Sequence, residues 1–355
     1  MEISKLQEQI ITTNEPKVVV DSAAASGKTE ILTRRIQFLL DSGIDPSKIV
    51  AITFTNNAAS EMYERLGRPA GLFIGTVHSY CNFLLMSSGI DTRGLLNDEK
   101  FDELFPLIQS HPECIRPVEY LLVDEAQDST REQFEFFELI NPQNFMYFGD
   151  ARQSIYSFNG ADPDYLVELT QDPSITVFQM KQNYRNYREI LTFAKKFLFR
   201  LGSLYSDDSI PMRGGSYGCV LEDSLTPEET VTLFEKVQGY LKDDWKDWFI
   251  LCRTNADVDL FSKLLTKRDI PNDTFKQADL TSKEIRERME QDTVKVLTVH
   301  SAKGLENKNV LVYNVRAYKD EEARVCYVAA TRARNHLIWI KAPTKKRKTK
   351  VVNWE

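Results

Sequence analysis

The chain has 355 residues, 42% hydrophobic, 27% charged and 11% aromatic, the balance of a folded globular protein large enough for two domains or for one domain with a large insert. Formal net charge is −7, yet residues 341–355 hold six Lys/Arg (Lys341, Lys345, Lys346, Arg347, Lys348 and Lys350) against Glu355, so the rest of the chain sums to −12 and a generally basic nucleic-acid-binding surface is excluded. Five scattered cysteines without a CxxC pair argue against a disulfide framework or a zinc site; with no long apolar run and no signal-like N-terminus, the expectation is a cytoplasmic protein without a membrane span.

From the N-terminus, short β-branched runs alternate with amphipathic segments. Strands are predicted at Val18–Asp21, Ile49–Phe54, Tyr120–Asp124, Asn144–Phe148 and Ile175–Gln179, then at Cys219–Glu222, Trp248–Cys252, Val294–Val299, Val310–Tyr313 and His336–Lys341. Helices are predicted at Thr29–Leu40, Ala58–Leu66, Arg131–Leu139, Tyr187–Leu201, Glu228–Leu241, Val258–Lys267 and Glu321–Arg334. This alternation implies an α/β fold with parallel sheets covered on both faces. The Ser-, Gly-, Asp- and Pro-rich stretch Gly202–Gly218 reads as the boundary between domains at 1–205 and 206–342, with a basic tail at 343–355. Ser88–Pro117 and Asn272–Asp292 fit neither sheet.

The strand KVVVD runs into SAAASGKT and then a helix, so Gly27, Lys28 and Thr29 end a phosphate-binding loop. Backbone N–H groups of the turn would hold phosphate oxygens, Lys28 would reach the β- and γ-phosphates, and Thr29 would place its hydroxyl on magnesium. Ser22 stands where the loop's first glycine is usual; a helix cap on an ordinary turn is the competing reading. The run YLLVDEAQDST is an apolar strand ending in two carboxylates. Asp124 sits where a carboxylate holds magnesium, and Glu125 is placed to position or deprotonate the attacking water. Asp128 reads as a helix cap or hydrogen-bond partner.

These segments stand in a longer series: Gln7, AITFTNNAASEM, GTVHSY, LLVDEAQDS, FGDARQSIYSFNGA, MKQNYRN, WFILCRTNAD, LTVHSAKGLE and YVAATRAR. In this order they resemble the motifs of superfamily 1 DNA helicases of the UvrD/Rep/PcrA type, from Gln7 to Arg334. The resemblance implies two RecA-like domains (1A and 2A) forming an ATP cleft, with ATP and Mg2+ as cofactors. It implies that Gln7 reads the adenine edge, that Tyr184 stacks on the base, and that Ser26, Gly27, Lys28, Thr29 and Glu30 form the nucleotide-contacting run. Gly304 and Glu306 would complete the pocket from the second domain. Gln153 would sense the γ-phosphate, and Arg185 and Arg332 would neutralise the transferring phosphoryl group; a salt bridge on a helix is the other reading of Arg332. For DNA the candidates are Phe54, Asn56, Thr76, His78, Tyr156, Phe158 and His300, with Phe54 and Phe158 otherwise core residues and the histidines otherwise satisfied core histidines.

The resemblance implies an ATP-dependent translocase and helicase on single-stranded or tailed duplex DNA, with 3′→5′ polarity. Ala25 in the loop and Asn159 in place of a usual Arg depart from the family pattern. The accessory inserts, 1B and 2B, shrink to about 88–117 and 272–292. A small motor of this kind also fits a DNA-activated ATPase subunit of a nuclease-linked antiphage defence or phage replication complex, with a nuclease or replication protein as partner. The tail is either a DNA-phosphate patch or a solvated basic end.

Overall fold

The computed structural model describes residues 3–214 and 219–343; residues 344–355 of the expected basic tail lie outside the described residues. The first sheet holds β1 (Lys17–Ser22), β2 (Ile49–Ile52), β3 (Phe73–Gly75), β4 (Tyr120–Val123), β5 (Asn144–Gly149) and β6 (Thr176–Met180) in the order β3-β2-β4-β5-β1-β6. Every pairing is parallel. A two-stranded pair follows, β7 (Gln182–Asn183) with β8 (Ile210–Pro211). The second sheet holds β9 (Cys219–Ser224), β10 (Trp248–Cys252), β11 (Asn272–Asp273), β12 (Val294–Thr298), β13 (Asn307–Tyr313) and β14 (Ala333–Lys341) in the order β11-β12-β10-β13-β14-β9, again parallel. The two sheets with their helices are called the first and second lobes.

Strand periodicity explains the layers. Along β1, Val18 and Val20 enter one core with Ile31, Leu32 and Ile36 of the helix Lys28–Asp41, while Val19 enters the opposite core with Phe134 and Phe137 of the helix Arg131–Ile140. In β10, Phe249 and Leu251 face one core, and Trp248, Ile250 and Cys252 the other. Both sheets are therefore buried on two faces, which is why their strands read as continuous apolar runs. Each such Val, Leu, Ile or Phe buried contributes about 1.5–3 kcal/mol.

Four differences from the sequence reading have physical reasons. First, the helix Arg188–Leu198 buries Ile190, Phe193, Ala194 and Leu198 in the core of the second lobe beside Trp339. By packing, this helix covers the second sheet although it precedes the 205/206 boundary, while Tyr205 and Ser206 return to first-lobe partners; loop-like composition marks exposed backbone, not the side on which the preceding helix packs. Second, Asn272–Asp292 does not lie wholly outside the sheets: Asn272–Asp273 is an edge strand paired with β12. The helix Ser282–Glu290 then follows, and Asn57 Nδ2 donates to Leu280 O (2.7 Å) across the lobes. Third, the predicted helix Glu321–Arg334 ends at Ala330, because Ala333 already pairs with Asn307 as the start of β14. Arg332 thus sits in a turn, not on a helix. Fourth, β3 and the helices Lys5–Thr12, Val77–Ser87 and Pro163–Gln171 escaped the periodic reading. Ser88–Pro117 forms short helical turns whose Leu104, Phe105 and Ile108 join the first core. Among the described residues, no helix is long and apolar enough to cross a membrane.

Candidate nucleotide cleft and nucleic-acid groove

β1 ends at Ser22, whose Oγ donates to Gly149 O (2.9 Å) at the end of β5, so the serine fits the loop's first position. The turn then needs two left-handed residues, Ala25 (φ 55) and Gly27 (φ 85). For Ala25 this conformation costs roughly 1–2 kcal/mol. Gly27 bears it freely and delivers the chain into the helix Lys28–Asp41, whose N-terminal N–H groups face the loop. Ser26 Oγ is buried without a hydrogen-bond partner in the protein. Lys28 Nζ lies 2.9 Å from Glu125 Oε2, and Thr29 Oγ1 donates to Asp124 Oδ2 (2.7 Å). A hydroxyl and one carboxylate are a fitting donor set for magnesium, which takes one or two carboxylates and completes its shell with phosphate and water. Among the described residues no cluster of three or more His, Cys, Asp or Glu forms an all-protein metal cage.

Burial, and then the charge of Glu125, push the Asp124 carboxyl up. Burial would also raise Glu125, but Lys28 and Lys303 outweigh it and hold that carboxyl below its usual range. The neighbouring acids are thus driven apart, with Glu125 the stronger acid of the two. Glu125 has φ 53, a left-handed conformation of the kind found at active sites. Gln127 Nε2 donates to Glu125 Oε2 (2.7 Å), and Gln127 Oε1 accepts from Asp150 N (2.9 Å). A Cβ at Gly149 would come within 2.9 Å of Gln127 Oε1 and 2.5 Å of Leu166 Cδ2, so a larger residue there would displace the amide that forms this bridge.

The second lobe closes on this centre. Arg332 is buried; its NH2 donates to Gln153 Oε1 (3.2 Å), its NH1 to Leu305 O (3.2 Å) and its Nε to Val328 O (3.0 Å). Burial and the nearby Arg185 push its pKa down to about 9, which leaves the guanidinium charged at neutral pH. Gln153 Nε2 donates to Asp150 Oδ2 (2.6 Å). Arg185 pairs with Glu306 and donates to Thr331 O (3.2 Å), so it bridges the lobes. Gly304 lines a cavity of about 540 Å³ together with Thr29, Asp124 and Glu125.

Three expected nucleotide residues make protein contacts, two of them with the phosphate loop itself. Gln7 Oε1 accepts from Ser4 N (3.0 Å) in a capping box, and its Nε2 donates to Ser26 O (3.4 Å), so both ends of the amide are tied to the protein. Glu30 pairs with Arg34 and Arg65 on the helix surface. Tyr184 lies against the loop through its backbone, N to Ala25 O at 3.2 Å, with the ring half-buried.

All seven expected DNA residues line two adjoining cavities beside the cleft, of about 730 and 880 Å³. Phe54 stacks on Tyr156 with ring centroids 4.8 Å apart, and Phe158 meets Tyr156 edge-on at 5.9 Å. Phe54 and Phe158 are 40% and 64% exposed, which removes the core reading of both. His300 lies 5.5 Å from Phe158, ring to ring, and its Nε2 is 3.2 Å from Ile155 O. Burial, then the charge of Arg253, lower its pKa and keep the imidazole neutral. Asn56 begins the helix Asn56–Arg65; Thr76 caps the helix Val77–Ser87; His78 packs against Phe101 and Phe105. The sequence reading missed Lys303. Its Nζ is 4.7 Å from the Tyr156 ring centroid and 2.5 Å from Asp128 Oδ2, and Gln127 bridges Asp128 to Glu125. The only signal was its place in HSAKGLE.

Two helix-flanked parallel sheets sharing one cleft, with a glycine-bearing strand-to-helix turn on one and a buried arginine from the other, define the class: a two-lobed, RecA-like α/β protein. The family pattern described as the UvrD/REP helicase N-terminal domain matches residues 3–111 and 109–174, and the UvrD-like helicase C-terminal domain matches 272–344. The chain belongs to the UvrD/Rep helicase family. It is 28% identical to the ATP-dependent DNA helicase Rep of Escherichia coli (76% of this chain, 55% of the relative) and 24% identical to the ATP-dependent DNA helicase PcrA of Staphylococcus aureus (75% and 50%). It is 23% identical to a probable DNA helicase of Mycoplasma pneumoniae (95% and 83%). The chain spans about half the length of the Rep and PcrA relatives it matches. The Rep alignment runs over 371 positions against 76% of this chain, about 270 residues, so roughly 100 positions of that relative face internal gaps here.

Proposed function

We propose that this chain is an ATP-dependent motor on single-stranded DNA, a translocase and helicase that moves 3′→5′. One observation carries the reading: Arg332 of the second lobe reaches Gln153 of the first, within the network that holds Glu125 and beside the aromatic groove. The polarity follows the family resemblance.

The chemistry follows from the side chains. When a γ-phosphate enters the loop, Lys28 turns from Glu125 to the phosphate oxygens and Glu125 is freed to face water. The water oxygen attacks the γ-phosphorus, Glu125 takes the proton, and the bond to the ADP oxygen breaks. Magnesium bound with the nucleotide at Thr29 and Asp124 supplies charge neutralisation on the phosphates. Arg332 neutralises charge that builds on the transferring group, and Gln153 orients toward it. An arginine of this kind contributes about 10³–10⁵ in rate, so closure of the lobes is the switch for hydrolysis. DNA enters the same linkage: bases stacked on Phe54 and Tyr156 touch Lys303, whose partner Asp128 is bridged by Gln127 to Glu125. A strand that favours closure therefore accelerates turnover.

Phosphate release from ATP with and without single-stranded DNA tests the motor; stimulation is expected, and its absence with any DNA or RNA removes the reading. Displacement of a labelled strand from 3′-tailed and 5′-tailed duplexes tests polarity, and activity on 5′ tails alone reverses it. The short internal inserts favour a second reading, a DNA-activated ATPase subunit working with a nuclease or replication protein. Strong DNA stimulation without strand displacement, together with co-purification of such a partner, supports that one.

A further inference from the structure

A buried charge cluster adjoins the cleft, and the mechanism above uses neither its arginine, Arg152, nor Asp21. Arg152 is its centre. Its Nε lies 2.5 Å from Asp150 Oδ1, its NH2 lies 2.7 Å from Asp21 Oδ1, and its NH1 donates to Ser206 O (3.3 Å). Asp21 is the residue of β1 just before the phosphate loop. Asp150 holds the sensor turn: its side chain accepts from Arg152 N (3.1 Å), and its other oxygen accepts from Gln153 Nε2 (2.6 Å). Ser206 belongs to the segment between β7 and β8, and the next residue, Asp207, accepts from Tyr327 OH (2.9 Å). Tyr327 lies on the helix Asp320–Ala330, which leads directly into the turn bearing Arg332.

The cluster is a poor device for stability alone. Burying an arginine among carboxylates returns little net free energy, and apolar side chains of the same volume often do as well. The planar guanidinium offers direction instead, since its donors leave in fixed orientations that a lysine cannot reproduce. Here three directions are used, toward the phosphate-loop strand, the sensor turn and the segment joining the lobes.

We infer that Arg152 is a positioning residue for Gln153, holding Asp150 and through it the sensor amide, and tying that setting to the segment that joins the lobes. The inference deepens the ATPase reading and rests on it. When the lobes part, Arg332 leaves Gln153; Asp21, Asp150 and Arg152 stay together in the first lobe and keep the amide aimed for the next closure. Loss of Arg152 therefore affects turnover and its stimulation by DNA more than it affects nucleotide binding.

The test is a double-mutant cycle on the full chain, read as kcat and KM for DNA-stimulated phosphate release. Arg152→Lys keeps a positive charge among the buried carboxylates but cannot serve three acceptors. Misplacing a group that contacts the reacting phosphate costs up to about 100-fold, so kcat should fall by about 10- to 100-fold with KM for ATP nearly unchanged. In a Gln153→Ala background the same change should have no further effect, because both act through one amide. Asp21→Asn should give a milder fall of the same kind, and it carries the cycle if Arg152→Lys does not fold. An unchanged kcat, a loss confined to KM, or an equal factor in both backgrounds overturns the inference; the last is what a purely structural role gives. A wild-type chain with no nucleic-acid-stimulated turnover refutes the functional reading itself, before any variant is compared, and takes this inference with it.

Discussion

Arg332 and Gln153 meet across the two lobes, guanidinium NH2 to amide Oε1 at 3.2 Å, and neither is exposed to solvent. A buried contact between a charged donor and a neutral amide is specific in direction and modest in strength, which suits a joint that must form and break in each cycle.

Arg332→Ala should leave ATP binding largely intact, because Lys28, Thr29 and the loop belong to the first lobe, while turnover falls by about 10³-fold or more. Equilibrium binding of a fluorescent ATP analogue and steady-state phosphate release separate the two effects. Arg332→Lys should recover little, since one ammonium cannot hold Gln153, Leu305 O and the phosphoryl oxygens together.

Lys28→Ala and Glu125→Gln should fail for different reasons. Lys28→Ala strips the phosphate ligand and leaves Glu125 without its 2.9 Å partner, so both nucleotide affinity and kcat drop. Glu125→Gln keeps the shape but cannot take a proton; kcat should fall by about 10²–10⁴-fold with ATP still bound. Titration of bound nucleotide beside phosphate release distinguishes them.

Phe54→Ala should weaken single-stranded DNA binding by about 1–3 kcal/mol, the contribution of one stacked base, and equally for all sequences. It removes no charge, so the slope of log affinity against log salt should stay constant. Fluorescence anisotropy with homopolymeric oligonucleotides at several salt concentrations measures both quantities.

The Arg185–Glu306 pair makes closure sensitive to acid. Burial would raise the Glu306 carboxyl, but Arg185 outweighs it, with Arg334 and Arg332 adding, and the folded value lies below the ordinary 4.5. A depressed acid contributes stability that is present above its unfolded value and lost as pH falls through the folded one. The wild type should therefore lose thermal stability below pH 4.5 more steeply than Glu306→Gln, as followed by melting temperature against pH.

The phosphate loop and the acidic strand end were legible because their chemistry is local. A strand, a turn with Gly27, and a helix beginning at Lys28 are neighbours in the chain, and so are Asp124 and Glu125. The alternation of apolar runs likewise announced two parallel sheets, since strands buried on both faces cannot hide their composition. The motif order pointed to Gln153, Arg185 and Arg332, whereas the amphipathic pattern put Arg332 on a helix; the pairing of Ala333 with Asn307 moves it to a turn.

Other features had no local signal. β11 is two residues long, too short for a period. The helix Arg188–Leu198 is amphipathic whichever sheet it covers, and only packing beside Trp339 assigns it to the second lobe. The sequence by itself determined which residues can bind phosphate, accept a proton or stack on a base, because those capacities belong to side chains and to the few residues around them. Tertiary structure alone decided which charges face one another: Lys303 with Asp128, Arg152 with Asp21, Arg185 with Glu306. Coulomb attraction and hydrogen bonding act through space over a few ångströms, and residues far apart in the chain come that close only once both sheets are built and the lobes have met.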